Sequence, residues 1–220
     1  MSRRAPVVLV LAAALLAGCG GGGGGRATLW VTRDQGRQVL MVESVPAGLT
    51  AMQALDRKAK ITTRYGGRFV QSIQGIEGSL SARRDWFWFV NGIEGDRSAA
   101  EYRLHPGDVE WWDYRSWARR ESVPVVVGAF PEPFLHGFDG KVRPAVVIGS
   151  GPGARAIARL LHGRLGASAP RGANVFRIVS GRPRLIARKR PGGAVEFLFA
   201  GDAARLARDP ASVRYRYEVP

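Results

Sequence analysis

The hydrophobic pattern is most pronounced in residues 86–92, whose sequence WFWFVNG is aromatic at four successive positions. Side chains alternate between two faces along a strand, so Trp86, Trp88 and Val90 share one face and the two phenylalanines between them share the other. Because both faces are apolar, the pattern predicts a strand that is covered on two sides. One cover is the core, and the second is a ligand or a partner.

The chain before this strand predicts a β-hairpin followed by one helix. Ala27–Thr32 alternates in polarity, residues 34–36 supply turn chemistry, and Gln38–Val45 is again β-prone. Thr50 is a suitable N-cap for the helix that follows. The predicted helix spans about three turns, and its apolar stripe consists of Met52, Leu55, Ala59 and Ile61.

Further extended runs complete the first half. Residues 65–70 lead into a strand that ends at Ile73, and residues 109–114 form a last strand after the turn at residues 106–108. Asn91-Gly92 is typical of a turn that ends a strand. The order β-β-α-β-β-β predicts a small α+β roll, in which the helix buries one sheet face and leaves the other free.

Four segments of this half carry a family resemblance: residues 49–55 (LTAMQAL), 65–76 (YGGRFVQSIQGI), 86–92 and 102–111 (YRLHPGDVEW). In order and spacing they resemble the bacterial transcobalamin-like C-terminal domain, a β-grasp-type module related to the small domain of transcobalamin and intrinsic factor. The resemblance covers about residues 27–116. It implies a β-grasp fold and, from the vertebrate relatives, participation in cobalamin binding beside a helical domain that has no counterpart here. Corrinoid capture is therefore one function that the resemblance implies.

The second half predicts another α+β arrangement, and it resembles no family. A β-branched strand begins at Val123 and ends in a proline-rich turn at Phe134, and a second strand runs from Pro144 to Ile148. A helix containing Ile157 follows. The later predicted elements are strands at Val175–Val179, Arg184–Ala187, Val195–Phe199 and Val213–Val219, and a short helix at Asp202–Arg208.

Residues 149–154 (GSGPGA) superficially copy a dinucleotide-binding turn at the start of the predicted helix. The dinucleotide fingerprint also needs an acidic residue about 20 positions further on. Residues 153–195 contain no Asp or Glu. We therefore interpret the glycines as a tight strand-to-helix turn, which Pro152 near the helix start supports, and we expect no cofactor.

The first residues predict export and lipidation. Arg3 and Arg4 precede an apolar run from Val7 to Ala17, which suits a signal peptide and is too short for a permanent membrane helix. Residues 16–19 (LAGC) resemble a bacterial lipobox, in which Cys19 would become the lipid-modified first residue of the mature protein. Acyl chains there would anchor it to the cell membrane, and the six glycines that follow would form a flexible tether.

The charge distribution favours two domains. The chain has a formal net charge of +15, and the predicted leader holds two of its 33 basic residues. Residues 26–121 contain 15 basic and 12 acidic side chains, whereas residues 122–220 contain 16 and 6. We predict a signal peptide at 1–18, a lipidated Cys and tether at 19–26, a β-grasp domain at 27–118 and a basic α+β domain at 123–220. A basic group near one predicted hairpin comprises Arg182, Arg184, Arg188, Lys189 and Arg190.

Four aromatic residues are the candidate ligand-binding side chains: Tyr65, Phe69, Trp111 and Trp112. Trp111 and Trp112 are adjacent and point to opposite faces, so we expect one of them to be exposed. An exposed Trp beside Tyr65 and Phe69, on the sheet face opposite the helix, would form a platform that stacks on a flat ligand. Packing of this platform on the second domain and contact with a partner protein are the alternatives.

The sequence offers no set of residues typical of an enzyme or a metal site. It contains three histidines, and its one cysteine belongs to the lipobox. Asp108 and Glu110 share a face near a predicted sheet edge without a candidate acid partner. We therefore name no catalytic or metal-binding residue, and we expect no nucleic-acid partner for an exported protein.

The function that the sequence favours is a non-catalytic binding module on the outer side of the cell membrane, which captures a small molecule such as a corrinoid for uptake. The alternative is a structural or adaptor lipoprotein. Its aromatic face would pack on its own second domain or on an envelope partner protein, and its basic domain would contact the anionic envelope.

Overall fold

The computed structural model describes residues 24–219, so the predicted signal peptide and the predicted lipidation site, Cys19, lie outside the described residues. The first-half strands are β1 Arg26–Arg33, β2 Gln38–Pro46, β3 Ile61–Arg64, β4 Phe69–Ile73, β5 Ile76–Glu77, β6 Arg84–Val90, β7 Ile93–Glu94 and β8 Val109–Ser116. The second-half strands are β9 Ala145–Ile148, β10 Arg164–Leu165, β11 Asn174–Ile178, β12 Arg184–Lys189 and β13 Val195–Ala200. The helices are α1 Ala51–Asp56, α2 Gly151–Leu160 and α3 Ala203–Arg208. This composition confirms the predicted α+β class.

The main sheet of the first half has the strand order β2-β1-β8-β6-β7. Strands β1 and β8 run parallel, with Trp30 opposite Trp111, and the other neighbours are antiparallel. Strand β8 is therefore central, and the expectation that Glu110 lies near a sheet edge is wrong. Strands β3, β4 and β5 form a separate antiparallel sheet, which adds strands to the predicted β-β-α-β-β-β order.

Helix α1 begins where the sequence predicts and ends earlier. The Thr50 side chain accepts a hydrogen bond from the Gln53 backbone N–H, and the Gln53 side chain accepts one from the Thr50 N–H, so the two residues form a capping box. The predicted stripe reached Ile61, but this residue starts β3 and pairs with Ile73. Strand pairing at Ile61 therefore limits the helix to six residues instead of about three turns.

The predicted alternation along β6 is confirmed. Trp86 and Val90 belong to the core that contains α1, whereas Phe89 belongs to a second cluster with Trp30 and Trp111 on the opposite sheet face. That second cluster is completed by side chains from the C-terminal half: Val123, Val126, Ala129 and Tyr217. The second cover of the aromatic strand is thus supplied by the chain itself.

A buried carboxylate fastens this cover to the sheet. Asp113 is fully buried in β8 and accepts hydrogen bonds from the Thr32 hydroxyl, from the backbone N–H groups of Gln35 and Gly36 at 3.1 Å each, and from the Tyr217 hydroxyl at 2.7 Å. Burial of a carboxyl group is tolerated when several donors compensate for its lost hydration. Asp113 therefore ties a turn of the first half and the C-terminal segment to one strand.

The sheet of the second half has the order β10-β9-β11-β13-β12, and only β12 is antiparallel to its neighbour. Its core lies on the face that carries Val147, Phe176 and Phe197, against side chains of α2 and α3. This half thus contains its own core. The predicted domain boundaries, 27–118 and 123–220, stay a prediction.

Two predicted strands of the second half are absent from the described residues. Residues 123–134 contain one isolated bridge, between Val125 and Ile93, and a 3₁₀ helix at Val127–Ala129. Prolines at positions 124, 131 and 133 provide no N–H groups for a ladder. Residues 213–219 contain no strand, because Tyr217 packs instead on the aromatic face of the first sheet.

The glycine-rich segment before α2 is a strand-to-helix turn, as the sequence predicts. Gly151 has φ +80°, which is a left-handed conformation that a residue without Cβ adopts easily, and Pro152 lies in the first turn. A Cβ on Gly153 would lie 3.0 Å from the Cβ of Ala203 in α3, so a glycine permits the close approach of the two helices.

Candidate ligand-binding site

A depression of about 400 Å³ opens on the side of the first sheet that faces α1. Its floor consists of tryptophans from β6 and β8, and its walls come from α1, from the β3–β4 hairpin and from the loop at residues 97–99. The lining residues are Met52, Tyr65, Arg68, Phe69, Val70, Trp86, Trp88, Arg97, Ser98, Ala99 and Trp112. Its volume lies within the range of about 300–1,000 Å³ that is common for small-molecule sites.

The structure brings three of the four candidate residues together here. Tyr65, Phe69 and Trp112 line the depression, whereas Trp111 lies on the opposite sheet face. Trp111 is fully buried and Trp112 is 3% exposed, so the expectation that one of them is exposed is wrong. The reason is that α1 and neighbouring elements cover one face while the C-terminal half covers the other. The depression also lies on the helix side rather than on the predicted opposite side.

The aromatic side chains of the site form two pairs. Trp88 and Trp112 are opposite each other across β6 and β8, and their rings stack with centroids 6.0 Å apart and an interplanar angle of 24°. At the rim, Tyr65 and Phe69 meet edge to face with centroids 6.3 Å apart. Tyr65 is 77% exposed and Phe69 is 39% exposed, so their ring surfaces are available to a ligand.

Hydrogen bonds fix the orientation of the tryptophan floor. Trp86 Nε1 donates to the Ile76 carbonyl oxygen at 2.8 Å, and Trp112 Nε1 donates to Glu110 Oε1 at 2.6 Å. The second oxygen of Glu110 has no hydrogen-bond partner among the described residues, and burial raises the pKa of this carboxyl well above its usual range. Burial therefore favours the neutral form of Glu110, which holds the Trp112 indole beneath the site.

Sequence reasoning missed Glu110, Trp86 and Trp88 as residues of this site. A signal existed for all three, since residues two apart in a strand share a face. Glu110 and Trp112 are such a pair in β8, and Trp88 is opposite Trp112 in the sheet register. The register between strands was not deducible from alternation alone.

The rim also carries two arginines that are already paired. Arg68 forms an ion pair with Glu101, and its backbone carbonyl accepts a hydrogen bond from the Ser98 hydroxyl at 2.6 Å. Arg97 contacts Asp96 at 2.8 Å and Asp139 at 3.2 Å, and its hydrogen bond lowers the pKa of Asp96. The rim is thus polar and partly charge-compensated, while the interior is aromatic.

The predicted turn at Asn91-Gly92 is confirmed, with φ +52° and +75° at the two residues. The buried Asn91 side chain donates to Asp108 Oδ1 at 2.7 Å and to the Gly137 carbonyl oxygen at 2.9 Å. Its own oxygen accepts from the Val109 N–H at 2.8 Å. Asn91 therefore connects the two halves of the chain as a structural residue.

A further buried polar contact joins Glu132 and His136. His136 Nδ1 lies 2.6 Å from Glu132 Oε1, and burial raises the pKa of Glu132. Between residues 24 and 219, no three His, Cys, Asp or Glu side chains are grouped so that they could hold a metal ion. Within the same range, no helix combines the length and apolar character needed to cross a membrane.

Comparisons with known proteins find similarity over part of the chain. The family described as Domain of unknown function (DUF4430) matches residues 48–116, which contain most of the depression. A solved structure from Ruminococcus gnavus ATCC 29149, provisionally described as a metal binding protein, is similar with 16% identity and a TM-score of 0.34 over 42% of this chain and 97% of that chain. Haptocorrin in complex with Cbi is similar with 14% identity and a TM-score of 0.34 over 40% of this chain and 25% of that chain. No curated protein matches the chain.

Proposed function

We propose that this protein is a non-catalytic binding module that captures a flat, largely apolar small molecule in the aromatic depression. The observation that carries the proposal is the exposed pair Tyr65 and Phe69 above a fixed tryptophan floor. Exposed aromatic rings beside a concave apolar surface bind planar molecules by stacking and by burial of apolar area. The paired arginines at the rim provide donors for polar groups at a ligand's edge.

A corrinoid is the ligand that we propose within this class. The support is the sequence resemblance of residues 27–116 to the transcobalamin-like domain. A corrinoid is also a flat macrocycle, and such a ring can stack on an aromatic surface. Such a macrocycle would place one face over Tyr65 and Phe69, with its polar edge groups toward Arg68 and Arg97. The tryptophans below would contribute apolar contact without moving.

Tryptophan fluorescence tests this proposal directly, because Trp86, Trp88 and Trp112 line the depression. Titration with cobalamin should quench the emission in a saturable manner and raise the melting temperature. Tyr65→Ala should weaken binding by roughly 2- to 12-fold, since one aromatic contact contributes about 0.5–1.5 kcal/mol beyond its buried area. Leu80→Ala is the matched control, because Leu80 is also 77% exposed and lies outside the depression.

The outcomes separate the ligand class from the particular ligand. If saturating cobalamin changes neither fluorescence nor melting temperature, the corrinoid proposal is wrong. If a planar aromatic dye still binds, and Tyr65→Ala weakens its binding, the proposal of an aromatic binding site stands. Equal effects of Tyr65→Ala and Leu80→Ala would refute the site itself.

Attachment to the cell membrane through Cys19 is a further part of the proposal, and its support is the lipobox resemblance. In cells, the wild-type protein should sediment with membranes and incorporate labelled palmitate, whereas Cys19→Ala should appear in the soluble fraction without the label. Membrane association of the unlabelled variant would contradict a lipid anchor at this residue.

An envelope-contacting adaptor is the second candidate, and one observation favours it. The second sheet has one face covered by helices, and Arg184 and Arg188 are exposed on its other face. On that face Arg188 and Arg177 both pair with the buried carboxylate of Glu196. Cosedimentation of the unlipidated protein with phosphatidylglycerol vesicles, but not with phosphatidylcholine vesicles, would support it. Insensitivity of that binding to salt would contradict an electrostatic contact.

A further inference from the structure

A second cavity, of about 440 Å³, lies in the C-terminal half and is separate from the aromatic depression. One wall is the segment at residues 123–127, and the facing wall is residues 185–189 of strand β12. Tyr217 and Glu218 also contribute to the lining. Most of the lining is aliphatic, so the cavity is an apolar slot between two extended stretches of backbone.

The β12 wall is an unpaired strand edge. Strand β12 is the last strand of its sheet and pairs with β13 on one side only. Arg190 N–H donates to the Ala194 carbonyl oxygen, so the even-numbered residues of β12 direct their backbone groups toward β13. The alternation then directs the N–H and C=O groups of Leu185, Ala187 and Lys189 outward. All three residues line the slot.

The facing wall also presents backbone groups without partners. The Glu94 N–H donates to the Pro124 carbonyl oxygen, and the Val126 N–H donates to the Gly92 carbonyl oxygen, so these groups point toward β7. Val125 lies between them, and its N–H and C=O form no hydrogen bond with any residue from 24 to 219. Val125 is only 6% exposed, and a buried backbone group without a partner is costly.

The two walls together define the kind of occupant. An acyl chain would fill the apolar volume but leave the backbone groups of Val125 and Ala187 without hydrogen bonds. An extended peptide supplies both apolar side chains and alternating N–H and C=O groups, as in strand addition to a sheet edge. The charged lining residues are Arg120, Arg188, Lys189 and Glu218. Arg188 is already paired with Glu196, so these charges do not select the charge of the peptide, and the backbone groups of the two walls carry the recognition.

We propose that this slot binds an extended segment of a partner protein, which adds as a strand to the outer edge of β12 with its other edge toward Val125. The segment would have β-branched or other apolar residues at its centre. The proposal concerns a protein partner and does not depend on small-molecule capture in the aromatic depression.

The probe is a synthetic fluorescein-labelled peptide with six alternating Val and Thr residues followed by two Glu residues. We expect saturable binding by fluorescence anisotropy, and slower hydrogen exchange at the Leu185, Ala187 and Lys189 amides in the complex. A Pro at the centre of the peptide should abolish binding, because it removes a backbone N–H from the added strand.

Ala187→Pro removes one outward N–H and should weaken binding by roughly tenfold, the upper range for one net hydrogen bond. Arg184→Ser is the matched control, because Arg184 lies in the same strand, directs its backbone groups toward β13 and is not part of the lining of the slot. If Ala187→Pro does not fold, N-methylation of alternate residues of the probe tests the same hydrogen bonds on the wild-type protein.

Three results would overturn the proposal. The first is no anisotropy change at millimolar probe, and the second is binding without protection of the Ala187 amide. The third is binding of oleate in the slot, reported by Leu185 and Val125 signals, with no binding of the peptide. Each of these would show that the unpaired strand edges do not recognise a peptide backbone.

Discussion

Glu110→Gln should stabilise the folded protein at neutral pH and leave its stability unchanged at acidic pH. Glu110 is fully buried, its Oε1 accepts from the Trp112 indole N–H at 2.6 Å, and its Oε2 has no partner among residues 24–219. Glutamine has the same shape and retains an oxygen for the indole N–H. The substitution therefore removes the ionisable proton without removing the hydrogen bond that orients Trp112.

The expected magnitude follows from the raised pKa of Glu110. Burial raises this pKa most, the hydrogen bond from Trp112 lowers it, and the neighbouring Asp108 adds to the rise. Below the unfolded-state pKa, near 4.5, the carboxyl is protonated in both states, so the two proteins should have the same free energy of unfolding. Above it, only the unfolded chain releases the proton, and wild type loses about 1.4 kcal/mol per pH unit relative to the variant. This loss ends when the pH reaches the folded-state pKa.

Urea unfolding at intervals from pH 4 to pH 8 measures the difference, with tryptophan fluorescence as the signal. Glu43→Gln is the matched control, because Glu43 is a partly exposed glutamate paired with Lys58 and such surface pairs contribute about 0–1 kcal/mol. A pH-independent difference between wild type and Glu110→Gln would refute the reasoning. A wild type that gains stability over the variant as pH rises would show that Glu110 is ionised in the folded state.

Two further substitutions test how the site and its second cover are held. Asp113→Asn should lower the free energy of unfolding by about 2–4 kcal/mol in urea, because an amide NH₂ replaces one of the two acceptor oxygens and leaves two buried donors without an acceptor; a loss below about 0.5 kcal/mol would contradict this. Gly95→Ala should cost about 1–3 kcal/mol and change the near-ultraviolet circular dichroism, because its Cβ would lie 2.1 Å from the Trp88 ring; an unchanged spectrum would contradict the packing.

The first sheet was largely predictable because its signals are local. The alternation in residues 86–92 correctly assigned Trp86 and Phe89 to opposite faces, and Thr50 correctly marked the start of α1. The end of α1 was not predictable from its own stripe. Ile61 fits a helical period, but its pairing with Ile73 places it in a strand, and such pairing is a property of the tertiary structure.

The covers of the sheet were less predictable, since they depend on contacts between distant segments. Residues 123–127 have the composition of a strand, yet they pack on the aromatic face of the first sheet and line the slot beside β12. Trp111 and Trp112 were correctly assigned to opposite faces. Residues 51–55 cover the face with Trp112, and residues 123–129 and 217 cover the face with Trp111. No local sequence pattern indicates which distant segment packs on which face.

The positions of the exposed aromatics strengthen the case for a ligand. Trp86, Trp111 and Trp112 are buried because the first sheet needs apolar cover on both faces, so folding alone explains them. Tyr65 lies instead at the β3–β4 turn with φ +53°, a conformation uncommon for a bulky residue, and it remains 77% exposed beside Phe69. A polar residue or glycine would form this turn more easily. Because the turn does not require Tyr65 and the core does not bury it, contact with a ligand gives the ring a role that folding does not.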